Sequence, residues 1–499
     1  MKSLRGTKLF VWTIITWILV LMNPVLAINF VYTPALHEAQ RHLAALRLVK
    51  AQNIIEHEMI VNRDNVANDY LLEYVEFYKI MIDQDKSRSD RFDMLKNKTI
   101  ERIKKLPDND ASKLYLLGSL HFQGAFVKSL FDEYLSAAFE FRTAYQFLEQ
   151  NEEKFPTYLT NKKDLGALMA LIGTFPESYK WIMSAVGLNG DYEKGMNMLH
   201  NYITHSAREP LIEQQQADIF YALIQLNFGS DKQVAWQFYK EHSKDYTGNL
   251  MQNYVRAYIA GKCGLNDEAI TILQLKPITA DYEIVPYMNF LMGGYLLNKL
   301  DQDAAIWFKK YAAFNQGGAS IKEAYQRLSW CALLQKDQAK FLVYNRLMGK
   351  SGKGMGSEEK LIKEDLKNGI YPDVQLIKTR LLFDGGYFQK AESLLNTINP
   401  ITLQAKYQQI EYEYRSGRVA HELKNYVKAI KHYNNTIDYS KGIETYMSPN
   451  ACLQLGLLYK SLHNNAIAKE YLNKVSDYKN YDYKSSVQQK AKAAYIQME

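Results

Sequence analysis

Cysteine, proline and long apolar runs are all scarce in this chain, and each shortage removes a class of protein. Its 499 residues hold 3 cysteines, Cys263, Cys331 and Cys452. They are odd in number and far apart, so neither a disulfide framework nor a paired-cysteine zinc site is expected. Buried single thiols within helices are expected instead. Proline at 11 and glycine at 26 leave room for long uninterrupted helices. The marked apolar run, Leu9 to Met22, falls short of the roughly 20 residues that a spanning helix needs. The 61 Lys and Arg are mixed with 54 Asp and Glu rather than gathered into a stripe. No clustered basic face is legible, so nucleic acid is not an expected partner.

What stands around the apolar run has a definite layout. Lys2, Arg5 and Lys8 precede it and Val25-Leu26-Ala27 follow it, the three-part order of a secretory signal. Cleavage after Ala27 is expected. It would remove three cations and no acid, taking the formal charge from +7 to +4 (7 − 3 = 4). No cysteine follows the run, so no lipid anchor is expected. An uncleaved segment would associate with the membrane. Export is expected.

The strongest pattern is a repeat near the C-terminus. Leu455, Gly456 and Tyr459 are followed by Ala468 and, one turn later, Leu472. This spacing resembles the tetratricopeptide consensus, a 34-residue helix–turn–helix in which a small residue lets two helices approach and a small Ala opens the second helix to the next repeat. Gly417, Ala429 and Tyr433 keep the same spacing; Leu291, Tyr295, Ala304 and Phe308 follow it too. Looser matches surround Ala391 with Leu395, and Tyr254 with Ala269 and Leu273. A single such unit cannot bury its own apolar face, so several in register imply an all-α, right-handed superhelix of antiparallel helix pairs. The 37 Tyr read as inter-helix fillers with the ring buried and the hydroxyl at the wet edge.

Residues 165–204 depart from the plain repeat, with glycines at 166, 173, 187, 190 and 195, Pro176 and Lys180-Trp181. This series, with the later block Ile321 to Trp330, resembles the tetratricopeptide repeat 39 family and its fungal inclusion-body-clearance relatives over about residues 110–345. That resemblance implies a non-enzymatic helical repeat protein. The Lys-, Asn- and Tyr-rich composition with an export signal is similar to exported tetratricopeptide proteins of a Bacteroidetes-like type, and that resemblance implies the periplasm or cell envelope of a Gram-negative bacterium as the expected location.

The expected organisation is a signal at 1–27, an N-terminal helical region at 28–205, central repeats at 206–347, a flexible Gly/Lys-rich loop at 348–369 and C-terminal repeats at 370–499. In that loop Gly349-Lys350-Ser351 has the tail of a phosphate-binding loop. The required glycine five residues earlier is Tyr344, and a helix rather than a strand precedes it. His37-Glu38 and His42 place two imidazoles five apart, off any shared helical face, so no zinc-protease pair forms. No Gly-x-Ser-x-Gly elbow is present. Neither catalytic residues nor a cofactor or metal are expected.

Binding is the remaining reading. Stacked repeats form a concave face lined by the first helix of each pair. Positions three before, one after and four after the consensus small residue face it. In the Gly417 repeat these are Tyr414, Arg418 and His421; in the last repeat they include Lys460; around Ala391 they include Leu376 and Arg380. This mixture suits a protein or peptide partner of some acidic character. The expected function is an exported scaffold gripping that partner. The alternatives are an accessory subunit of an envelope secretion or uptake machine, or a lipid- or carbohydrate-binding repeat protein.

Overall fold

The computed structural model describes residues 28–174, 187–188, 190–229, 231–314, 320–351 and 357–498. The run Leu9–Met22, the expected cleavage point and the Pro176 to Trp181 motif lie outside these residues. The described residues form 24 α-helices and no strand, with one isolated bridge between Asn29 and Asn65.

The helices pair in chain order. In the first half α1 (Pro34–Ala44) packs on α2 (Leu48–Val61), α3 (Val66–Asp83) on α4 (Ser89–Ile103) and α5 (Ala111–Leu130) on α6 (Tyr134–Lys154). Next come α7 (Asn161–Gly173) with α8 (Tyr192–His205), and α9 (Leu211–Phe228) with α10 (Lys232–His242). The central pairs are α11 (Leu250–Lys262) with α12 (Asn266–Gln274), α13 (Tyr287–Asn298) with α14 (Ala304–Phe314), and α15 (Ile321–Leu334) with α16 (Gln338–Lys350). After the single helix α17 (Ser357–Lys367), α18 (Val374–Asp384) pairs with α19 (Phe388–Leu395), α20 (Lys406–Glu422) with α21 (Tyr426–Tyr439) and α22 (Met447–Ser461) with α23 (Asn465–Lys474). The last helix is α24 (Lys484–Ile496). This is a tetratricopeptide-type α-solenoid.

The turns show why the repeat pattern works. His463 sits in the left-handed region at φ 58°. Its N–H bonds to the Lys460 carbonyl, and the Asn464 N–H reaches back to the Tyr459 carbonyl at 2.9 Å, a Schellman stop. The Asn464 side chain then accepts from the Ile467 N–H, so one residue ends α22 and caps α23. The same device recurs at Lys424 with Asn425 and at Lys336 with Asp337. Seven residues before each of these turns stands a small residue, Gly456, Gly417 or Ser329. A Cβ on Gly456 would stand 2.6 Å from Leu472 Cδ2, and one on Gly417 would stand 2.7 Å from Tyr433 Cδ1. The buried Ala468 and Ala429 lie opposite.

The glycine series has a related cause. Glycines 166 and 195 carry α7 and α8 into backbone contact, since a Cβ on Gly195 would lie 2.4 Å from the Ala170 nitrogen and 2.5 Å from the Gly166 oxygen. Gly190 packs against Gly173 in the same seam.

Several sequence expectations need correction. One core runs from Leu36 to Tyr295, across the expected boundary at 205/206. Further along, three smaller cores follow in sequence. The segment 348–369 is not a loop throughout: α17 occupies Ser357–Lys367, and Lys322 Nζ pairs with Glu359 Oε2 at 2.6 Å. Many tyrosine hydroxyls are inside rather than at a wet edge. Tyr115 donates to the buried Glu213 at 2.8 Å, Tyr70 pairs with Ser119, and Tyr295 donates to the Ala257 carbonyl at 3.0 Å. All three cysteines are free, two of them buried and Cys263 half-buried.

The two halves of the chain also touch. In the C-terminal tail, Gln489 Nε2 donates to Thr174 Oγ1 at 3.0 Å, and Gln497 Nε2 donates to the Phe228 carbonyl at 2.9 Å. Thus α24 leaves the last repeat and returns to α7 and α9.

Candidate inner-face site

The residues expected in the groove divide into two groups. Leu376 is fully buried in a core with Phe383 and Leu395, and Tyr414 is 2% exposed. Neither offers a surface to a partner. Their positions point inward, but later repeats stack over them.

Arg380, Arg418, His421 and Lys460 keep partial exposure. The Arg380 guanidinium lies 4.7 Å from the Trp330 ring centre, and Arg327 lies 4.4 Å from the same ring. Arg418 lies 4.6 Å from the Phe383 ring and donates to the Tyr414 hydroxyl at 3.1 Å. Beside them, Arg415 is buried against Glu411 at 3.1 Å and Tyr446 at 2.8 Å. Helices α15, α18 and α20 thereby present a run of guanidiniums over aromatic rings. Such pairs are worth about 0.5–2 kcal/mol, more where water is excluded. Guanidiniums stack on aromatic faces and match carboxylates through their planar fork of donors.

His421 contributes no charge at neutral pH. Burial, with Arg418 adding to it, pushes its pKa down to about 4. Its Nδ1 lies 3.3 Å from the Tyr433 hydroxyl. Lys460 is engaged by the chain itself, donating to Gln497 Oε1 at 2.6 Å. It borders a cleft of about 500 Å³ lined also by Glu193, His200, Tyr221 and Gln225.

Three lysines join this face that the repeat spacing did not point to. Lys262 ends α11 and Lys232 begins α10. The Cys263 thiol, next to Lys262, donates to the Lys232 carbonyl at 3.3 Å. Lys490 is carried in by α24. Lys232 and Lys262 are exposed to water, yet they stand among neighbouring repeats, and burial is the first cause of the lowered pKa of each. For Lys490, burial first and then Lys232, Lys262 and Arg418 push the pKa down to about 8. The basic face that no stretch of sequence displays is therefore assembled by folding, from helices far apart in the chain. Phe383 was within reach of the repeat rule, four residues after Thr379. Lys232, Lys262 and Lys490 sit at helix ends or beyond the last repeat, where the consensus is silent.

A second polar cluster is closed to ligands. Lys163 Nζ lies 2.7 Å from both Asp164 Oδ1 and Glu213 Oε2 and donates to Gln216 at 2.8 Å. Lys163 is 0%, Asp164 2% and Glu213 1% exposed, so the cluster serves the core. Among the described residues no group of three or more His, Cys, Asp or Glu is placed to hold a metal. None of their helices is long and apolar enough to cross a membrane.

No family model matches the chain, and no curated protein matches it. Solved structures do align along most of it. A Rap protein complexed with competence and sporulation factor shares 13% identity over 82% of this chain and 97% of its own, with a TM-score of 0.33. A monomeric IFIT1 mutant with Gppp-AAAA shares 14% over 88% and 100%, at 0.32. Yeast Tom70 shares 13% over 93% and 89%, at 0.24. Likeness at this level says nothing of what this chain binds.

Proposed function

We propose that the protein is a non-enzymatic binding solenoid that holds an extended acidic segment of a partner protein along its inner face. The observation that carries this reading is the convergence of Arg327, Arg380 and Arg418 over Trp330 and Phe383, with Lys262 nearby. An extended chain fits a long groove, carboxylates fit planar guanidiniums, and the rings supply apolar contact between charges. The central glycine seam and the block Ile321 to Trp330 support kinship with the tetratricopeptide repeat 39 family as part of this proposal. Export through the segment ending at Ala27 is a separate part of the proposal and would place the groove in the periplasm or cell envelope.

The binding test is fluorescence anisotropy with a labelled ten-residue Glu-rich peptide and a Lys-rich counterpart. The acidic peptide should bind, weaken with added salt, and lose about tenfold in affinity in Arg418→Ala under conditions where that variant, destabilised by about 0.5–2 kcal/mol through loss of its Phe383 contact, remains folded. Equal binding of both peptides, or no effect of Arg418→Ala, rules the reading out. N-terminal sequencing of the mature protein tests export: a first residue of Ile28 is expected, and a start at Met1 in a membrane fraction contradicts it.

A further inference from the structure

A cleft of about 500 Å³ opens where the C-terminal tail closes back on the N-terminal half. That volume falls within the range of about 300–1,000 Å³ that small-molecule sites occupy. Four elements wall it. Tyr192, Glu193 and Asn197 come from α8, Tyr221 and Gln225 from α9, Lys460 from α22, and Gln497 follows α24. The sequence of α8 explains its share. Glu193, Asn197 and His200 recur at helical spacing on one exposed face, while Gly195 on the other face is spent on the seam with α7.

The tail completes the wall through two hydrogen bonds. Gln497 Nε2 donates to the Phe228 carbonyl at 2.9 Å, and its Oε1 accepts from Lys460 at 2.6 Å. The Tyr221 ring is held by Phe238 at 4.5 Å and by His200 at 6.0 Å between ring centres. What is left over faces the cleft. Among the described residues, the side chains of Tyr192, Glu193, Asn197, Tyr221 and Gln225 make no hydrogen bond or ion pair. Tyr192 is 7% exposed and still borders the cleft.

We infer that this cleft is a binding site for a neutral polyhydroxylated molecule, a short oligosaccharide. The inventory of the wall decides the class. Its charged groups are one carboxylate, Glu193, and one ammonium, Lys460, so an anion or a cation meets its own sign beside its partner. An apolar chain would strip water from five unpartnered polar side chains. A zwitterion would engage the two charges and leave two phenols and two amides unmet. Each sugar hydroxyl offers one donor and two acceptor lone pairs, which suits a carboxylate, an amide and a phenol alike. The rings of Tyr192 and Tyr221, with Met196 beside them, supply apolar surface for the C–H face of a sugar. None of the arginines of the inner face lines this cleft, so the site is independent of the acidic-segment reading.

The test is calorimetric titration of the full chain with five neutral trisaccharides: maltotriose, cellotriose, xylotriose, mannotriose and N-acetylated chitotriose. Glycine and inorganic phosphate are the charged controls. At least one trisaccharide should bind once per chain, and neither control should. Asn197→Ala and Glu193→Gln alter exposed side chains without internal partners, so each should weaken that sugar about tenfold with helical content unchanged. Arg418→Ala, kept under folding conditions, should bind the sugar like wild type. Hydrogen exchange with the sugar bound should slow in α8 and α24. Absence of binding by every trisaccharide overturns the assignment, as does wild-type affinity in both α8 variants. Tighter binding of glycine or phosphate than of any sugar overturns the ligand class. Loss of sugar binding in folded Arg418→Ala overturns the location. Failure of the Glu-rich peptide to bind counts against the acidic-segment reading alone and leaves this site intact.

Discussion

Gly195→Ala should destabilise the protein, although alanine is the better helix former by about 1 kcal/mol. The added Cβ would lie 2.4 Å from the Ala170 nitrogen, 2.5 Å from the Gly166 oxygen and 2.9 Å from the Ala170 Cα. All three are backbone atoms, so no side chain can rotate away. Ordinary contact needs about 1 Å more, and α7 and α8 must move apart as rigid rods through a close-packed seam. Overpacking of this kind costs roughly 1–3 kcal/mol. After the propensity gain, a net loss of up to about 2 kcal/mol remains. Gly294→Ala is the matched control. It lies inside α13, and a Cβ there meets nothing within 4 Å, so the propensity gain should survive as about 0.5–1 kcal/mol of added stability. Urea unfolding followed by far-ultraviolet circular dichroism reads both as shifts of the midpoint in opposite directions. If Gly195→Ala is as stable as wild type, or if the two substitutions shift the midpoint alike, the glycine seam does not work as described.

Three other outcomes are expected. Ala468→Phe places a ring where α23 meets α22, beside the buried Leu472, and should cost about 1–3 kcal/mol. Hydrogen exchange should show the loss first in α22 to α24, because solenoid stability is summed over neighbours. Lys163→Met leaves Asp164 and Glu213 facing each other without a cation and should cost about 3–5 kcal/mol in thermal or urea unfolding, whereas changing all three residues to apolar ones should cost far less. His421 gives a pH signature. Its folded pKa of about 4 lies below the unfolded value near 6.5, so the unfolded chain binds the extra proton between those values. The stability it contributes is full above pH 6.5 and is lost as pH falls toward 4. Arg418, Tyr426 and Tyr433 surround the ring. His421→Gln should flatten that loss when unfolding is measured across the interval.

How much of this was legible beforehand depends on whether a residue acts locally. Gly456 with Ala468, and Gly417 with Ala429, speak of packing within one helix pair, so spacing alone exposes them. The Schellman turns at Lys424 and His463 carry no glycine, and each left-handed residue is followed by an Asn that caps the next helix. The glycines at 166 and 195 were visible as a series, yet their role needed the partner helix. The site was less legible because its charges are brought together by closure of the superhelix. Lys232 and Lys490 stand far apart in the chain and neither sits at a repeat position. Leu376 and Tyr414 were placed on the correct helices, but the repeat rule does not say how deeply the next pair covers them.

Hydrogen–deuterium exchange of the full chain with and without the Glu-rich peptide tests the central claim most directly. Bound peptide should slow exchange in Ile321–Leu334, Val374–Asp384 and Lys406–Glu422, the helices that carry the arginines, and leave α16, α19 and α21 unchanged. Protection confined to α16, α19 and α21, or absent from every helix at saturating peptide, would contradict an inner-face binding site.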